Sequence, residues 1–443
     1  MARLRSNQTP AAGPWPQGIN NRAAQGELPR DEFGTKPVAL REAENVDLST
    51  SGSARRRQGY TDAIHSGENI HSLWSHDELS FGLFVDAGVL HALRADGTVR
   101  ALPFTPGDFP LSYSLIEDRV YASNRFESAL LLHDGDADTI TVHPWGAPAT
   151  PAVPEVHRVT SGGSLFGGSY QVSVTHVDEL GRESGATYSP LVYVEDGDSI
   201  LVTLNPSDHH RRVYVSTHND QVPRLVAERG PDSAVHALVV TTAGTGVALA
   251  TRNMEPMPAG QYNRIFNGRH WVADGRYLRW SQPFFYGMTD PGYNLIRFDS
   301  EFDLMEPVGR GDNAGIFVAT AKRTYWIAGG TPDAMSPVDA APYGAVPGTA
   351  LWVRGSAIGM DDDDDRLIWL GRRGNYVLGA DNGRITPVNA ATLVMHNADH
   401  GASVVVSRDG VERLITTLKN PRAASGSLAV GDFASAVVVH RDR

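Results

Sequence analysis

One strand-turn-strand pattern recurs along this chain, and it limits the folds that the chain can adopt. In each copy two short apolar runs flank a turn, and several copies contain Asp-Gly or Asn-Gly, which tolerate the positive φ of a tight hairpin. Six copies begin near residues 81, 119, 270, 316, 367 and 403. Leaving aside the jump from 119 to 270, they are spaced by about 36 to 51 residues, which is typical of β-propeller blades. The sequence therefore predicts an all-β chain with a propeller of about six blades.

The composition agrees with many short strands. The 45 glycines and 27 prolines among 443 residues are typical of a chain with frequent turns. A propeller suits such a chain because each small sheet packs against the next and radial closure leaves only short, protected edges. A β-sandwich or two separate barrels built from the same hairpins remain alternatives.

The jump between the second and third copies contains a different pattern. Residues 168–177 alternate apolar and polar side chains, and turn signals then recur about every 10 to 12 residues, which indicates a β-sandwich. We place this inserted module at residues 152–256. The rest of the chain divides into an extended N-terminal arm at 1–39, a first part of the propeller at 40–151 and its remainder at 257–443.

The arm is rich in proline and glycine and has no sustained apolar period. Such a segment cannot bury enough apolar area to offset its ordering entropy, so we expect it either to stay mobile or to dock on a neighbouring protein. Trp15 and Phe33 are the candidate anchors, because large aromatic side chains carry much of the binding energy at interfaces.

Two charged runs stand out on a chain whose net charge is −12. The basic run could contact phosphate, but an acidic chain is poorly suited to wrap nucleic acid. We therefore favour pairing of the basic run with acidic groups of a neighbouring subunit or blade. The acidic run lacks the spacing and the turn glycine that aim oxygen ligands at Ca²⁺, which favours a solvated loop. If that loop faced a channel, it would repel DNA. The basic run is Arg55, Arg56 and Arg57, and the acidic run is Asp361, Asp362, Asp363, Asp364 and Asp365.

Several kinds of chemistry are disfavoured. The absence of cysteine excludes disulfides and thiolate metal sites and is compatible with folding in a reducing cytoplasm. The sequence has no H-E-x-x-H zinc motif, no G-x-S-x-G elbow, no P-loop and no apolar run of about 18 residues. We therefore predict no catalytic residue, no metal, no cofactor and no membrane span.

Four segments carry a resemblance to a known family. Residues 40–60 contain N-V-D-L, a glycine and R-R-x-G-Y, and residues 267–273, 278–283 and 318–332 follow a similar blade signature. They resemble the β-propeller tail proteins of tailed bacteriophages, over roughly residues 17–60 and 262–350. The inserted module is similar to the fibronectin III or Ig-like modules of phage structural proteins.

The resemblance implies a structural protein of the virion, in the nozzle or hub of a phage tail. Such proteins form an oligomeric ring, here a homohexamer by resemblance, which extends the DNA-ejection channel. The ring would dock on an adaptor, tail tube or fibres, and DNA would pass without specific binding. The chain would fold in the host cytoplasm before assembly.

Two other functions remain open. The first is a propeller that binds or modifies carbohydrate on the host surface. Its candidate stacking residues would otherwise belong to the cores of the blades. The second is a cytoplasmic scaffold unrelated to phages. The candidate stacking residues are Trp271, Trp280, Trp326 and Trp369.

Overall fold

The structure is a computed structural model, and the chain is all-β over the residues it describes. Apart from two short 3-10 helices, the regular elements in this part of the chain are β-strands. The described residues are 14–43, 46–48, 51–56, 64–135, 139–309, 311–328, 335–356, 364–388, 390–408, 411–420 and 437–439. The predicted fold class is confirmed at this level. None of the helices in the described residues is long and apolar enough to cross a membrane.

The chain separates into two compact units, one formed by residues 1–66 with 299–443 and the other by residues 67–298. The first unit starts with the arm, in which the 3-10 helix Gln25–Glu27 lies. A short antiparallel hairpin follows. Its strands are β1 (Val46–Leu48) and β2 (Ala54–Arg56).

The 67–298 unit begins with two four-stranded antiparallel sheets in which the strands follow chain order. Their inward-facing side chains form one apolar core, which includes Leu83 and Leu90 from the first sheet and Leu131 from the second. The first sheet contains β3 (His71–Ser75), β4 (Phe81–Asp86), β5 (Val89–Arg94) and β6 (Val99–Ala101). The second contains β7 (Ser112–Ile116), β8 (Arg119–Ser123), β9 (Ser128–Asp134) and β10 (Thr139–His143).

Nine strands then form sheets that share a second core, with Val174 and Val213 contributed by one sheet and Ile200 and Val202 by another. They are β11 (Glu155–Val159), β12 (Gly168–Tyr170), β13 (Val172–Val177), β14 (Thr187–Tyr188), β15 (Val192–Val194), β16 (Ser199–Leu204), β17 (His210–Ser216), β18 (Pro223–Arg229) and β19 (His236–Val240). The strand orders are β14-β13-β17-β18, β11-β16-β19 and β12-β15. This sandwich-like body lies within the predicted limits of 152–256.

After this body the chain forms a third four-stranded sheet in the same unit. The strands are β20 (Glu255–Pro256), β21 (Tyr262–Phe266), β22 (Arg269–Asp274), β23 (Tyr277–Trp280), β24 (Met288–Thr289) and β25 (Leu295–Arg297). The sheet order is β21-β22-β23-β25, and β20 pairs with β24. The buried Asn263 amide donates to the Ser112 carbonyl at 2.8 Å and to the Ser123 hydroxyl at 3.0 Å. The third sheet therefore packs directly against the second.

The 299–443 part of the first unit contains two four-stranded sheets and one three-stranded sheet among its described residues. The strands are β26 (Phe302–Val308), β27 (Gly315–Thr320), β28 (Thr324–Ala328), β29 (Pro337–Ala341), β30 (Leu351–Arg354), β31 (Asp365–Leu370), β32 (Tyr376–Gly379), β33 (Ile385–Val388), β34 (His400–Arg408), β35 (Val411–Lys419) and β36 (Val437–Val439), with a 3-10 helix at Gly311–Asn313. Phe317 and Trp369, from successive sheets, pack with ring centroids 5.4 Å apart. Neighbouring sheets in this unit thus share an apolar core.

Each of the six predicted copies lies in a separate sheet. Five begin at or within two residues of the start of the second strand of a four-stranded sheet, and the last lies in β34. Among the glycines of the predicted Asp-Gly and Asn-Gly turns, Gly97, Gly275 and Gly383 have positive φ, whereas Gly135 does not. The interpretation of the four tryptophans as core residues is also confirmed. Trp271 and Trp369 are fully buried, and Trp280 and Trp326 are less than a tenth exposed.

Candidate docking site in the N-terminal arm

The first part of the arm is ordered by backbone pairing with a later part of the same unit. The Trp15 amide donates to the Gly52 carbonyl at 2.8 Å. Ile19 forms a parallel bridge with Leu40, whose amide donates to the Gly18 carbonyl at 2.8 Å. These hydrogen bonds satisfy polar groups in a segment that has too few apolar residues to form a core of its own.

Asn21 connects the arm by hydrogen bonds to the segment just before β34. Its backbone amide donates to the Thr392 carbonyl at 3.0 Å, and its side-chain amide donates to the Val394 carbonyl at 2.7 Å. The side-chain carbonyl oxygen of Asn21 accepts a hydrogen bond from the Val394 amide at 2.8 Å. The Asn21 side chain therefore pairs with both the amide and the carbonyl of Val394. Our expectation offered a mobile arm or one docked on a neighbour, whereas residues 14–43 dock on their own unit. Asn21 was missed because its partners lie 373 positions away.

A tight turn at residues 31–36 is held by the carboxylate of Asp31. This group accepts hydrogen bonds from the Thr35 amide at 2.6 Å, the Thr35 hydroxyl at 2.7 Å and the Lys36 amide at 3.2 Å. The Thr35 hydroxyl contributes most to lowering the pKa of Asp31. The turn is therefore fixed by local bonds to an ionised side chain.

Phe33 lies in this turn with 78% of its surface exposed. The bridge between Arg30 and Pro37 closes the base of the loop, and the Arg30 guanidinium donates to the Gly34 carbonyl at 3.2 Å. An aromatic ring exposed on an ordered turn loses little conformational entropy when it enters a pocket on a partner. The arrangement suits Phe33 to act as a docking anchor.

The other predicted interface residues differ in exposure. Trp15 is half-buried where the arm pairs with Gly52. Arg55 and Arg56 are exposed on β2, and neither forms an ion pair with a described residue. Arg57 lies outside the described residues. Two exposed guanidinium groups therefore remain available to acidic groups of a partner.

Only the end of the predicted acidic loop is visible. Asp361, Asp362 and Asp363 lie outside the described residues, while Asp364 and Asp365 are exposed where β31 begins. An Asp364 carboxylate oxygen lies 3.6 Å from the Arg366 guanidinium. Within the described residues, no group of three or more histidine or acidic side chains can hold a metal ion. The exposed carboxylates fit a solvated loop, and its position relative to a channel stays a prediction.

Replacing Gly52 with alanine is expected to loosen the arm. Gly52 has a φ of +78°, and an added Cβ would collide with the backbone of Trp15. Because both strain and collision oppose the native conformation, hydrogen exchange at the hydrogen-bonded amides of residues 15, 17, 18 and 20 should accelerate by about tenfold or more. Gly26→Ala is the matched control, since Gly26 has open space around its Cβ position. Unchanged exchange in Gly52→Ala would contradict a role for this contact.

Comparisons with known proteins give no family assignment. No protein-family model matches the sequence, and neither does any curated protein. Among solved structures, a streptogramin B lyase is 11% identical with a TM-score of 0.30, covering 80% of this chain and 92% of that one. AztD of Citrobacter koseri is 9% identical with a TM-score of 0.32, over 84% and 90% of the two chains. The N-terminal domain of Nup159 is 9% identical with a TM-score of 0.26, over 78% and 72%. These proteins are β-propellers, but similarity at this level says nothing about function.

Proposed function

We propose that this chain is a non-enzymatic structural component of a bacteriophage tail, in the nozzle or the hub. Several copies, six by family resemblance, form a ring in the virion that extends the DNA-ejection channel. The observation that best supports this proposal is the arm, whose ordered turn exposes Phe33. The arm and the β1–β2 hairpin also overlap the 17–60 segment, which is one of the two segments that resemble phage tail proteins.

We further propose that the six sheets of three or four strands outside the sandwich are the blades of one propeller. Their antiparallel strand order and the apolar cores shared by successive sheets support this arrangement. The inserted body is proposed as an Ig-like or fibronectin III-like sandwich in architecture. Its strand order differs from that of an immunoglobulin domain. The last strand, β19, pairs with β16, whereas one sheet of a constant-type immunoglobulin domain contains strands A, B, E and D and not the last strand, G.

In this proposal the net charge of −12 helps DNA to leave. A protein binds DNA by replacing condensed counterions with Lys and Arg, and an acidic channel wall does not do so. The exposed Asp364 and Asp365 would add to a repulsive field if their loop faced the channel. DNA would then pass through the ring without being retained.

Replacing Phe33 with alanine should weaken docking on the tail by about tenfold or more, because truncating an aromatic anchor typically costs over 1 kcal/mol. The measurement is binding of the purified full chain to tail particles assembled without it, followed by mass photometry and electron microscopy. Phe166→Ala is the matched control, since Phe166 is 68% exposed but belongs to the sandwich. Absence of the protein from purified virions, or failure of the wild type to bind these particles, would refute the proposal.

The four tryptophans no longer support the hypothesis of carbohydrate binding. All four tryptophans proposed to stack on sugars are buried, so they offer no surface to a glycan. A glycan array with the full chain remains the direct comparison between the two functions. Specific glycan binding together with failure to bind tails would favour the carbohydrate alternative.

A further inference from the structure

Arg211 is buried in the sandwich, and no carboxylate of the described residues forms an ion pair with it. Its side chain begins on β17, and only 1% of the residue surface is exposed. The guanidinium donates to the carbonyl of Asn205 at 2.5 Å and to that of Gly230 at 3.1 Å. Its Nε–H has no acceptor among the described residues. A buried cation with an unused donor is costly unless another group supplies negative charge.

The two side chains that flank Arg211 across the sheet supply no negative charge, because one is an arginine and the other is a histidine whose pKa is lowered by burial. His176 and Arg229 are its cross-strand partners on the two adjacent strands, so all three side chains start from the same face of the sheet. The carboxylate of Asp232 favours the charged form of Arg211. That carboxylate already accepts from the Ala234 amide at 2.8 Å and lies 2.5 Å from the His236 ring. It therefore offsets the charge of Arg211 only from a distance.

Arg211 lines a cavity of about 60 Å³. A site for one water needs roughly 10 to 15 Å³ of this kind of volume, so the cavity has room for about four heavy atoms. Buried apolar residues form part of its wall, and the exposed lining residues Ala152, Asn205 and Pro206 mark its side toward solvent. The remaining lining residues are Pro151, Pro154, Val174, His176 and Leu204.

We propose that this cavity binds a small carboxylate anion, of the size of formate or acetate. The Nε–H of Arg211 and a remaining hydrogen of the neighbouring amino group form a planar fork that matches two carboxylate oxygens. The apolar part of the wall accommodates a methyl group, and the volume excludes branched acids. The site is independent of the docking function proposed for the arm.

The test is titration of ¹³C-labelled acetate into the full chain, followed by NMR. We expect saturable binding in the millimolar range, because a ligand of about four heavy atoms cannot bind very tightly. Trimethylacetate should not bind, since it exceeds the cavity. Ala152→Leu, which fills the cavity from its side toward solvent, should weaken acetate binding by at least tenfold, as should Arg211→Met. Arg224→Met is the matched control, because Arg224 lies on β18 of the same sheet but does not line the cavity, and this variant should bind acetate like the wild type.

The comparison of acetate with trimethylacetate and the Ala152→Leu variant test the proposed site even if Arg211→Met does not fold. Equal binding of acetate and trimethylacetate would overturn the proposal, because it would show non-specific anion association. Unchanged acetate binding in Ala152→Leu would overturn it too, since it would place the anion elsewhere. A crystal soaked in bromide, a smaller anion, should show an anomalous peak beside the Arg211 guanidinium, and its absence would count against the site.

Discussion

Acidification from pH 7 to pH 5 should destabilise the 67–298 unit by about 2 kcal/mol through one residue, His270. This side chain is fully buried, and neither ring nitrogen has a hydrogen-bond partner among the described residues. It packs between Tyr121 and Trp145, with ring centroids 4.8 Å away in both cases. Burial among these apolar rings lowers the pKa of His270 to about 3.

The sign follows from the two pKa values of His270. The unfolded chain takes up a proton near pH 6.5, whereas the folded chain takes it up only near pH 3. Between these values the unfolded state binds more protons, so stability falls as the pH falls. The full stability is present above about pH 6.5. At pH 5 the loss is about 1.5 pH units at 1.36 kcal/mol each, or roughly 2 kcal/mol.

The measurement is urea unfolding of the full chain at pH 7 and pH 5, in the wild type and in His270→Phe. Phenylalanine fits an aromatic site and cannot be protonated, so the variant should lose about 2 kcal/mol less than the wild type on acidification. Carboxylates contribute to both slopes and cancel in this difference. His157→Phe is the control, since His157 is exposed on β11. Equal pH dependence in the wild type and His270→Phe would contradict the assignment.

The strands and turns of each sheet could be predicted because they depend on short-range sequence patterns. Alternating apolar residues and turn glycines mark each sheet, and Gly97 and Gly383 take the positive φ that their turns require. The burial of Trp271 also follows from its place in a strand between apolar neighbours. These features depend on residues within a few positions of each other.

The missed features depend on residues far apart in the chain. The pairing of Asn21 with Val394 joins segments 373 positions apart, and neither segment carries a recognisable motif. The cavity beside Arg211 forms where the strand carrying this residue packs against loops near residues 151 and 205. In the docking site, Phe33 was predicted from residue type alone. The turn that presents Phe33 was missed. It depends on three hydrogen bonds accepted by the Asp31 carboxylate, and these do not appear as a motif in the sequence.

Replacing Glu183 with leucine should destabilise the sandwich by about 3 kcal/mol, because it removes the centre of a largely buried polar network. One carboxylate oxygen of Glu183 accepts from the Tyr214 and Thr175 hydroxyls, both at 2.5 Å. The other accepts from the Arg212 guanidinium at 2.9 Å. The Glu183 side chain is only 14% exposed, and burial is the main reason that the pKa of Tyr214 is raised. Without Glu183 these donors keep their desolvation cost and lose their acceptor.

Hydrogen exchange of β13 and β17 in the full chain measures this effect locally, since the two strands pair directly and carry Thr175, Arg212 and Tyr214. Exchange through sandwich opening should accelerate by roughly a hundredfold for a loss of about 3 kcal/mol. Glu179→Leu is the control in the same loop, because Glu179 is exposed and its replacement should change stability by less than about 0.5 kcal/mol. Similar exchange in the two variants would show that the network contributes little to stability. The reason would be that the Arg212 guanidinium keeps its second partner, Glu228, at 2.7 Å. A large difference would instead show that the turn at residues 181–184, which carries Glu183, stabilises the inserted module through its polar contacts.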